Sequence, residues 1–193
     1  MRRLLGDNIA EIQSVNGYQP EQISNFYESR PQLKYLEAPP LGKGEVGCYL
    51  SHYAAWEYAA DNTIENMLIF EDDAELDSTF VAMYNLALSL LPEDYDVFSV
   101  YVDKDQHGLF NSTQRVDGTI AKGYQDWSLL GYFVSSAGAK KLVDITNSNG
   151  LNQPADWALF RNGHAGNLNV YTWDPSVRLP MAINRNSTPQ TIR

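Results

Sequence analysis

The sequence predicts a single α/β domain around a mostly parallel sheet. Two observations carry this expectation. Short apolar runs rich in β-formers, Met67–Phe70, Tyr95–Val102 and Leu129–Ser135, alternate with segments of helical spacing, the pattern of strand–helix–strand units. The 193 residues, 44% of them hydrophobic, suffice for one real core. No repeat or low-complexity linker divides the chain, so 1–185 reads as one domain and 186–193 as a polar tail.

The elements follow in order. Pro39-Pro40-Leu41-Gly42-Lys43-Gly44 is a loop. Val46, Leu50, Tyr53, Trp56, Tyr58 and Ala60 then recur at roughly helical spacing, predicting a helix over Gly47–Asn62. Met67–Phe70 is a short apolar run that reads as a buried strand. Ser78 is placed to cap a helix that runs to about Leu91, with Pro92 beyond its end. Tyr95–Val102 is a strand. Asp103–Asp126 is polar and weakly periodic, a long loop with one short strand, and long loops in compact domains often serve binding. Leu129–Ser135 is a strand, and Ser136 caps a helix over Ala137–Thr146. Pro154 suits the first turn of a helix over Ala155–Arg161. Asn167–Thr172 is the last strand, and the segment after Pro180 is expected to be polar and partly mobile.

Composition excludes several function classes. Fourteen basic against 24 acidic residues give a net charge of −10, the wrong sign for a reader of nucleic-acid phosphates or for tight docking on an anionic membrane. No apolar run approaches the roughly 18 residues of a membrane span. The N-terminus, MRRLLGDNIAEI, is basic but lacks a sustained apolar stretch. A cytoplasmic protein is expected. Cys48 stands alone in the chain, which rules out an intrachain disulfide and a cysteine-rich metal site.

The chemistry concentrates at Asn66–Leu76, NMLIFEDDAEL. A buried strand breaks directly into Glu71, Asp72 and Asp73, and open α/β sheets place ligands at the carboxyl ends of their strands. Three adjacent carboxylates repel one another unless a cation intervenes. A hard divalent ion with oxygen ligands is the natural partner, and such ions bridge to substrate phosphates. The plain alternative is a solvated acidic turn.

Three blocks occur together: Gly44–Trp56 (GEVGCYLSHYAAW), Leu68–Asp73 (LIFEDD), and Gly131–Leu142 (GYFVSSAGAKKL) followed by Pro154-Ala155-Asp156-Trp157. This order resembles glycosyltransferase family 25, which includes lipooligosaccharide galactosyltransferases and collagen galactosyltransferase domains. The resemblance covers roughly residues 1–185. It implies a GT-A fold, a UDP-hexose donor, a manganese or magnesium ion at the acidic motif, and inversion at the anomeric centre. One departure stands out. The chain starts at Met1-Arg2-Arg3, inside the arginine-rich turn that in the family follows the first strand. That strand is therefore expected to be absent, leaving a sheet edge open to self-association or to cover by the N-terminal segment. Ile9–Tyr18 then corresponds to the second strand, with Asn16-Gly17 replacing the family's Asp-Gly.

The resemblance also assigns roles. Glu71 and Asp73 would hold the metal, and Glu71 and Asp72 would lie along the nucleotide sugar. Asn16, Gly47, Ser51 and His52 would line the donor site, although the small size of Gly47 and Cys48 reads first as close packing. Asp156 would be the general base that takes the acceptor hydroxyl's proton; without the family it is a helix-start acid favoured by the dipole. Trp127, Tyr132 and Trp157 are aromatics near the site, any of which could stack on a sugar or simply fill the core. The sequence thus predicts a metal-dependent hexosyltransferase that moves galactose from a UDP-sugar to a hydroxyl of a glycan or glycoconjugate. The rival reading is a catalytically degenerate homologue that binds a nucleotide or glycan. A metal-dependent hydrolase fits less well, since the further His and Asp ligands of a two-metal site are missing.

Overall fold

The computed structural model describes residues 11–101, 114–115, 118–123, 128–174 and 176–184. Helix α1 (Pro20–Glu28) precedes the long helix α2 (Lys43–Asp61). Strands β1 (Met67–Phe70) and β2 (Ala74–Leu76) lead into α3 (Phe80–Leu90) and β3 (Val97–Ser99). Two short strands, β4 (Gln114–Arg115) and β5 (Ile120–Lys122), come before β6 (Gly131–Val134), α4 (Ser136–Asn149) and α5 (Ala155–His164). Strands β7 (Val170–Trp173) and β8 (Met181–Ile183) follow.

Six strands form one sheet in the order β1-β6-β3-β7-β5-β4, and β2 pairs with β8 in a separate ribbon. The α/β class is as expected, but the sheet is mixed rather than mostly parallel. Only β3 and β7 pair in parallel among the described strands; β6 runs antiparallel to both β1 and β3, and β5 antiparallel to β7 and β4. The physical reason lies between β3 and β6. A parallel neighbour needs a crossover, usually a helix, whereas this connection carries the short strands β4 and β5. Since β6 reverses against β1 and β3, the strands β1, β3 and β7 all point the same way. Their carboxyl ends meet the start of β6 at one edge of the molecule, with Phe70 opposite Gly131 and Ser99 opposite Tyr132.

Alternation of side chains across the strands fills both faces. Tyr132 and Val134 join Val97, Val170 and Ile69 in a cluster with α1, α2, α4 and α5. Phe133 joins Phe98, Tyr171 and Trp173 in a second cluster under α3 and the β2–β8 ribbon. A sheet covered on both faces needs apolar residues at every position, and β3, β6 and β7 are buried throughout.

Several expectations are corrected. Helix α1 was not foreseen, although Pro20 at its first turn is a start signal. Residues 11–18 form no strand; they run along α2, where Val15 N–H donates to Ser51 Oγ at 2.8 Å. Ser78 does not cap α3. Asp77 Oδ1 takes the Thr79 N–H at 2.7 Å, and the helix opens one residue later. Ser135, not Ser136, caps α4, accepting from Gly138 N–H at 3.0 Å. The segment after Pro180 contributes β8, whose register sets Glu75 against Ala182. Most of the predicted Asp103–Asp126 loop, together with 1–10 and 185–193, lies outside the described residues. No described helix is long and apolar enough to cross a membrane.

Candidate functional site

Glu71 stands where the sequence puts it, at the carboxyl end of β1. Its N–H donates to Leu130 O at 3.0 Å, carrying the β1–β6 pairing one residue further. A tight turn follows, closed by Ala74 N–H on Glu71 O at 3.2 Å. The turn separates the three carboxylates. Glu71 points toward α2, Asp72 is exposed, and Asp73 is half-buried beside the β2–β8 ribbon, where Asn184 N–H donates to its carbonyl at 2.8 Å.

Helix α2 brings Cys48 and His52 to Glu71 on one face, four residues apart. His52 Nε2 lies 3.3 Å from Glu71 Oε1, and Cys48 Sγ lies 3.9 Å from the same oxygen. The three donor atoms fall within 4.8 Å of one another. His52 is buried and backed by a buried chain of polar groups. Its Nδ1 lies 2.9 Å from Tyr132 Oη, which accepts from Trp56 Nε1–H at 2.8 Å. Indole can only donate, so the hydroxyl's own proton is free to go to Nδ1. In the neutral imidazole this leaves Nε2 protonated and donating to Glu71. The network thus fixes both the ring and the carboxylate it faces. Of the two roles open to Tyr132, the structure gives the core one: at 1% exposure it supports His52 and offers no face to a sugar.

Asp156 begins α5 and faces the same region. Its Oδ2 accepts from Ser128 N–H at 3.0 Å and its Oδ1 from Trp157 N–H at 2.8 Å. Burial raises its pKa from the ordinary value; the backbone donors pull it down, and the negative charge of Glu71 adds a smaller upward push. Ser128 adopts φ 72°, a left-handed conformation that is uncommon outside glycine, and the Asp156 carboxylate holds its N–H there. Cys48 senses both acids. Although the residue is exposed on the surface, crowding of its thiol by protein atoms and then the charges of Glu71 and Asp156 push it up to about 12.

The Asp73 carboxyl is also raised, first by desolvation and then by Glu71. Its Oδ1 is buried without a hydrogen-bond partner. An orphaned carboxylate oxygen, repelled by a second carboxylate, is an arrangement that a hard divalent cation would relieve. The orphaned Asp73 oxygen is the feature of the acidic motif that such an ion would satisfy.

The remaining predicted residues are structural in their contacts. Ser51 Oγ accepts from Val15 and donates to Gly47 O at 2.8 Å. Asn16 Oδ1 accepts from Tyr18 N–H at 2.9 Å, turning the chain at Gly17. A Cβ at Gly47 would come within 2.5 Å of Val15 O and 2.6 Å of Gly17 N. Close packing is thus the observed role of Gly47, as its size suggested, but not of Cys48, which lies exposed beside Glu71. Arg161 stacks over the Trp157 ring, its guanidinium carbon 4.1 Å from the centroid. Trp127 lies outside the described residues. Sequence reasoning missed Ser128 and the Trp56–Tyr132 support for His52. The four-residue spacing of Cys48 and His52 was the available signal; nothing local joins either to Tyr132.

The profile described as glycosyltransferase family 25 (LPS biosynthesis protein) matches residues 1–158. The chain is 32% identical over 108 residues to procollagen galactosyltransferase 1 of Danio rerio, covering 54% of this chain and 18% of that protein. It is 31% identical over 140 residues to procollagen galactosyltransferase 2 of Homo sapiens, covering 70% and 21% respectively. It is also 34% identical over 110 residues to the inactive glycosyltransferase 25 family member 3 of Homo sapiens, covering 53% and 18%. The chain thus spans about a fifth of the length of the curated relatives it matches.

Proposed function

The chain belongs to glycosyltransferase family 25, and on that premise we propose that it transfers a hexose, galactose foremost, from a UDP-sugar to a hydroxyl of a glycan or glycoconjugate, with inversion at the anomeric carbon. The observation that carries the reading is that Glu71, at the carboxyl end of β1, and Asp156, held by two backbone N–H groups at the start of α5, both act on Cys48. The two acids come from distant parts of the chain, and the charge of Glu71 is felt at Asp156. Galactose is favoured because two of the relatives are named procollagen galactosyltransferases.

In this reading Asp156 is the base. The acceptor oxygen attacks the anomeric carbon, its proton passes to the Asp156 carboxylate, and the bond to the UDP oxygen breaks. A carboxylate whose pKa is raised takes that proton more readily than an ordinary one. Glu71 and Asp73 would hold a manganese or magnesium ion, which supplies positive charge against the diphosphate and the leaving group. His52 orients Glu71 through Nε2–H, and Asp72 is the neighbouring acid of the motif that would lie along the nucleotide sugar. Asn16, Gly47 and Ser51 serve the donor side by holding the Val15–Gly17 turn against α2.

A second reading is a binding module without transfer, favoured by the resemblance to relatives named inactive. Calorimetry and a transfer assay separate the readings. UDP should bind appreciably with manganese and poorly in chelator, and Asp73→Asn should weaken both ion and nucleotide. Equal UDP affinity in chelator and in manganese overturns the metal assignment. Transfer of galactose that depends on an added hydroxyl acceptor supports the enzyme; manganese-dependent UDP binding without donor turnover supports the binding module.

A further inference from the structure

We propose that Cys48, His52 and Glu71 form a binding site for a thiophilic divalent ion such as Zn2+, distinct in chemistry from the hard-ion site that Glu71 shares with Asp73. An ion bound tetrahedrally at about 2.0–2.3 Å from nitrogen, oxygen and sulfur holds its donors roughly 3.3–3.7 Å apart. The observed separations are 3.3 Å from His52 Nε2 to Glu71 Oε1 and 3.9 Å from Cys48 Sγ to Glu71 Oε1, with the three donors all inside 4.8 Å. Little movement is needed to close on an ion. One thiolate, one imidazole and one carboxylate are the ligand types that suit zinc, and three protein ligands leave a fourth position open. Cys48 is exposed, so that position faces solvent and the ion has a path of entry.

The supporting residues fit the same role. Metal-bound histidines donate their second ring N–H to a fixed acceptor, and Tyr132 Oη stands 2.9 Å from Nδ1. On binding, the thiol proton leaves to solvent, the Nε2 lone pair goes to the ion, and the ring proton moves to Nδ1, where it is donated to the tyrosine oxygen. The tyrosine proton then loses its acceptor. One unmade buried hydrogen bond costs about ten- to a hundredfold in affinity, small against the many orders of magnitude by which thiolate and imidazole hold zinc. Glu71 and the nearby Asp156 supply negative charge for a divalent cation, and Cys48 adds a third once its proton leaves on binding.

The consequence is competition. Glu71 oriented toward Cys48 and a soft ion is not available to a hard ion at Asp73, so Zn2+ would displace the manganese-dependent state; this coupling rests on the proposed function. The test uses the full chain, reduced and freed of metal with chelator, titrated with Co2+. Binding should produce the near-ultraviolet charge-transfer absorption of a thiolate–Co2+ bond, reversed by added Zn2+. Cys48→Ser should abolish the band and weaken Zn2+ at least tenfold, with an unchanged far-ultraviolet circular dichroism spectrum. No thiolate band, or equal Zn2+ affinity in Cys48→Ser, overturns the site. In a second arm, saturating Zn2+ should remove manganese-dependent UDP binding. If the thiolate band is present and UDP binding survives Zn2+, the competition is refuted and the thiolate site stands.

Discussion

Asp156 is the residue on which the enzymatic reading turns. Its carboxylate accepts two backbone N–H groups, from Ser128 and Trp157, and so is held in one orientation as a general base must be. Asp156→Asn keeps the shape and one acceptor but cannot take a proton. Turnover should fall by at least about 100-fold, with UDP-sugar affinity nearly intact, measured by steady-state kinetics beside calorimetry. The pH dependence has a defined sign. The folded-state pKa is raised, so the base form appears only as pH rises through that raised value, and Asp156→Asn should flatten the acid limb of the rate profile. Linkage runs the same way: the stability associated with the raised carboxyl is fully present below its unfolded pKa and is lost as pH rises through the folded one. Near-normal transfer by the variant would reduce Asp156 to a helix-start acid, and loss of donor binding would move it to the donor side.

Helix α2 is the element that organises the site. One face buries Tyr49, Leu50, Tyr53, Trp56 and Ala59 in the core, and His52 on the adjoining face reaches Glu71. Its start is fixed by Glu45, whose carboxylate accepts Gly42 N–H at 2.6 Å, a cap supplied by the third helical residue. Its first turns are fixed by the crossing chain at Val15–Gly17, which approaches so closely that only glycine fits at 47. Gly47→Ala raises intrinsic helix propensity, yet its methyl would collide with backbone on both sides of the turn, where no flexible side chain can give way. We expect the collision to win, destabilising the protein by about 1–3 kcal/mol in urea unfolding and weakening UDP binding through the displaced helix. A variant as stable as the parent would show that the 11–18 segment does not lock α2.

At the scale of the molecule, β1 is the outer strand of the six-stranded sheet, and among the described residues no strand pairs with its other side. Outer strands with free backbone groups invite pairing with another chain. Only Ile69 of β1 is buried, in contrast to the fully buried β3, β6 and β7. The protein should therefore show concentration-dependent association in light scattering. A mass that stays monomeric across the accessible concentration range would show the β1 edge to be covered by the chain itself.

By itself the sequence determined the α/β class, the strand at Met67–Phe70 that delivers Glu71, the long helix after the Pro-Gly loop, and the short helix that opens at Asp156. These are local matters: a buried run, a helical period and a proline each act over a few residues. The tertiary structure decided the rest. Whether β6 pairs antiparallel between β1 and β3 depends on the path of the intervening chain, and three-residue strands such as β2 and β8 carry too little period to be read. The splay of Glu71, Asp72 and Asp73 follows from a turn closed by Ala74 N–H. The convergence of Cys48, His52, Glu71 and Asp156 follows from packing α2 and α5 against the same sheet edge. Distances across 80 residues, such as that from His52 to Tyr132, are set by burial of the whole core, because that burial is what holds elements far apart in the chain in one place.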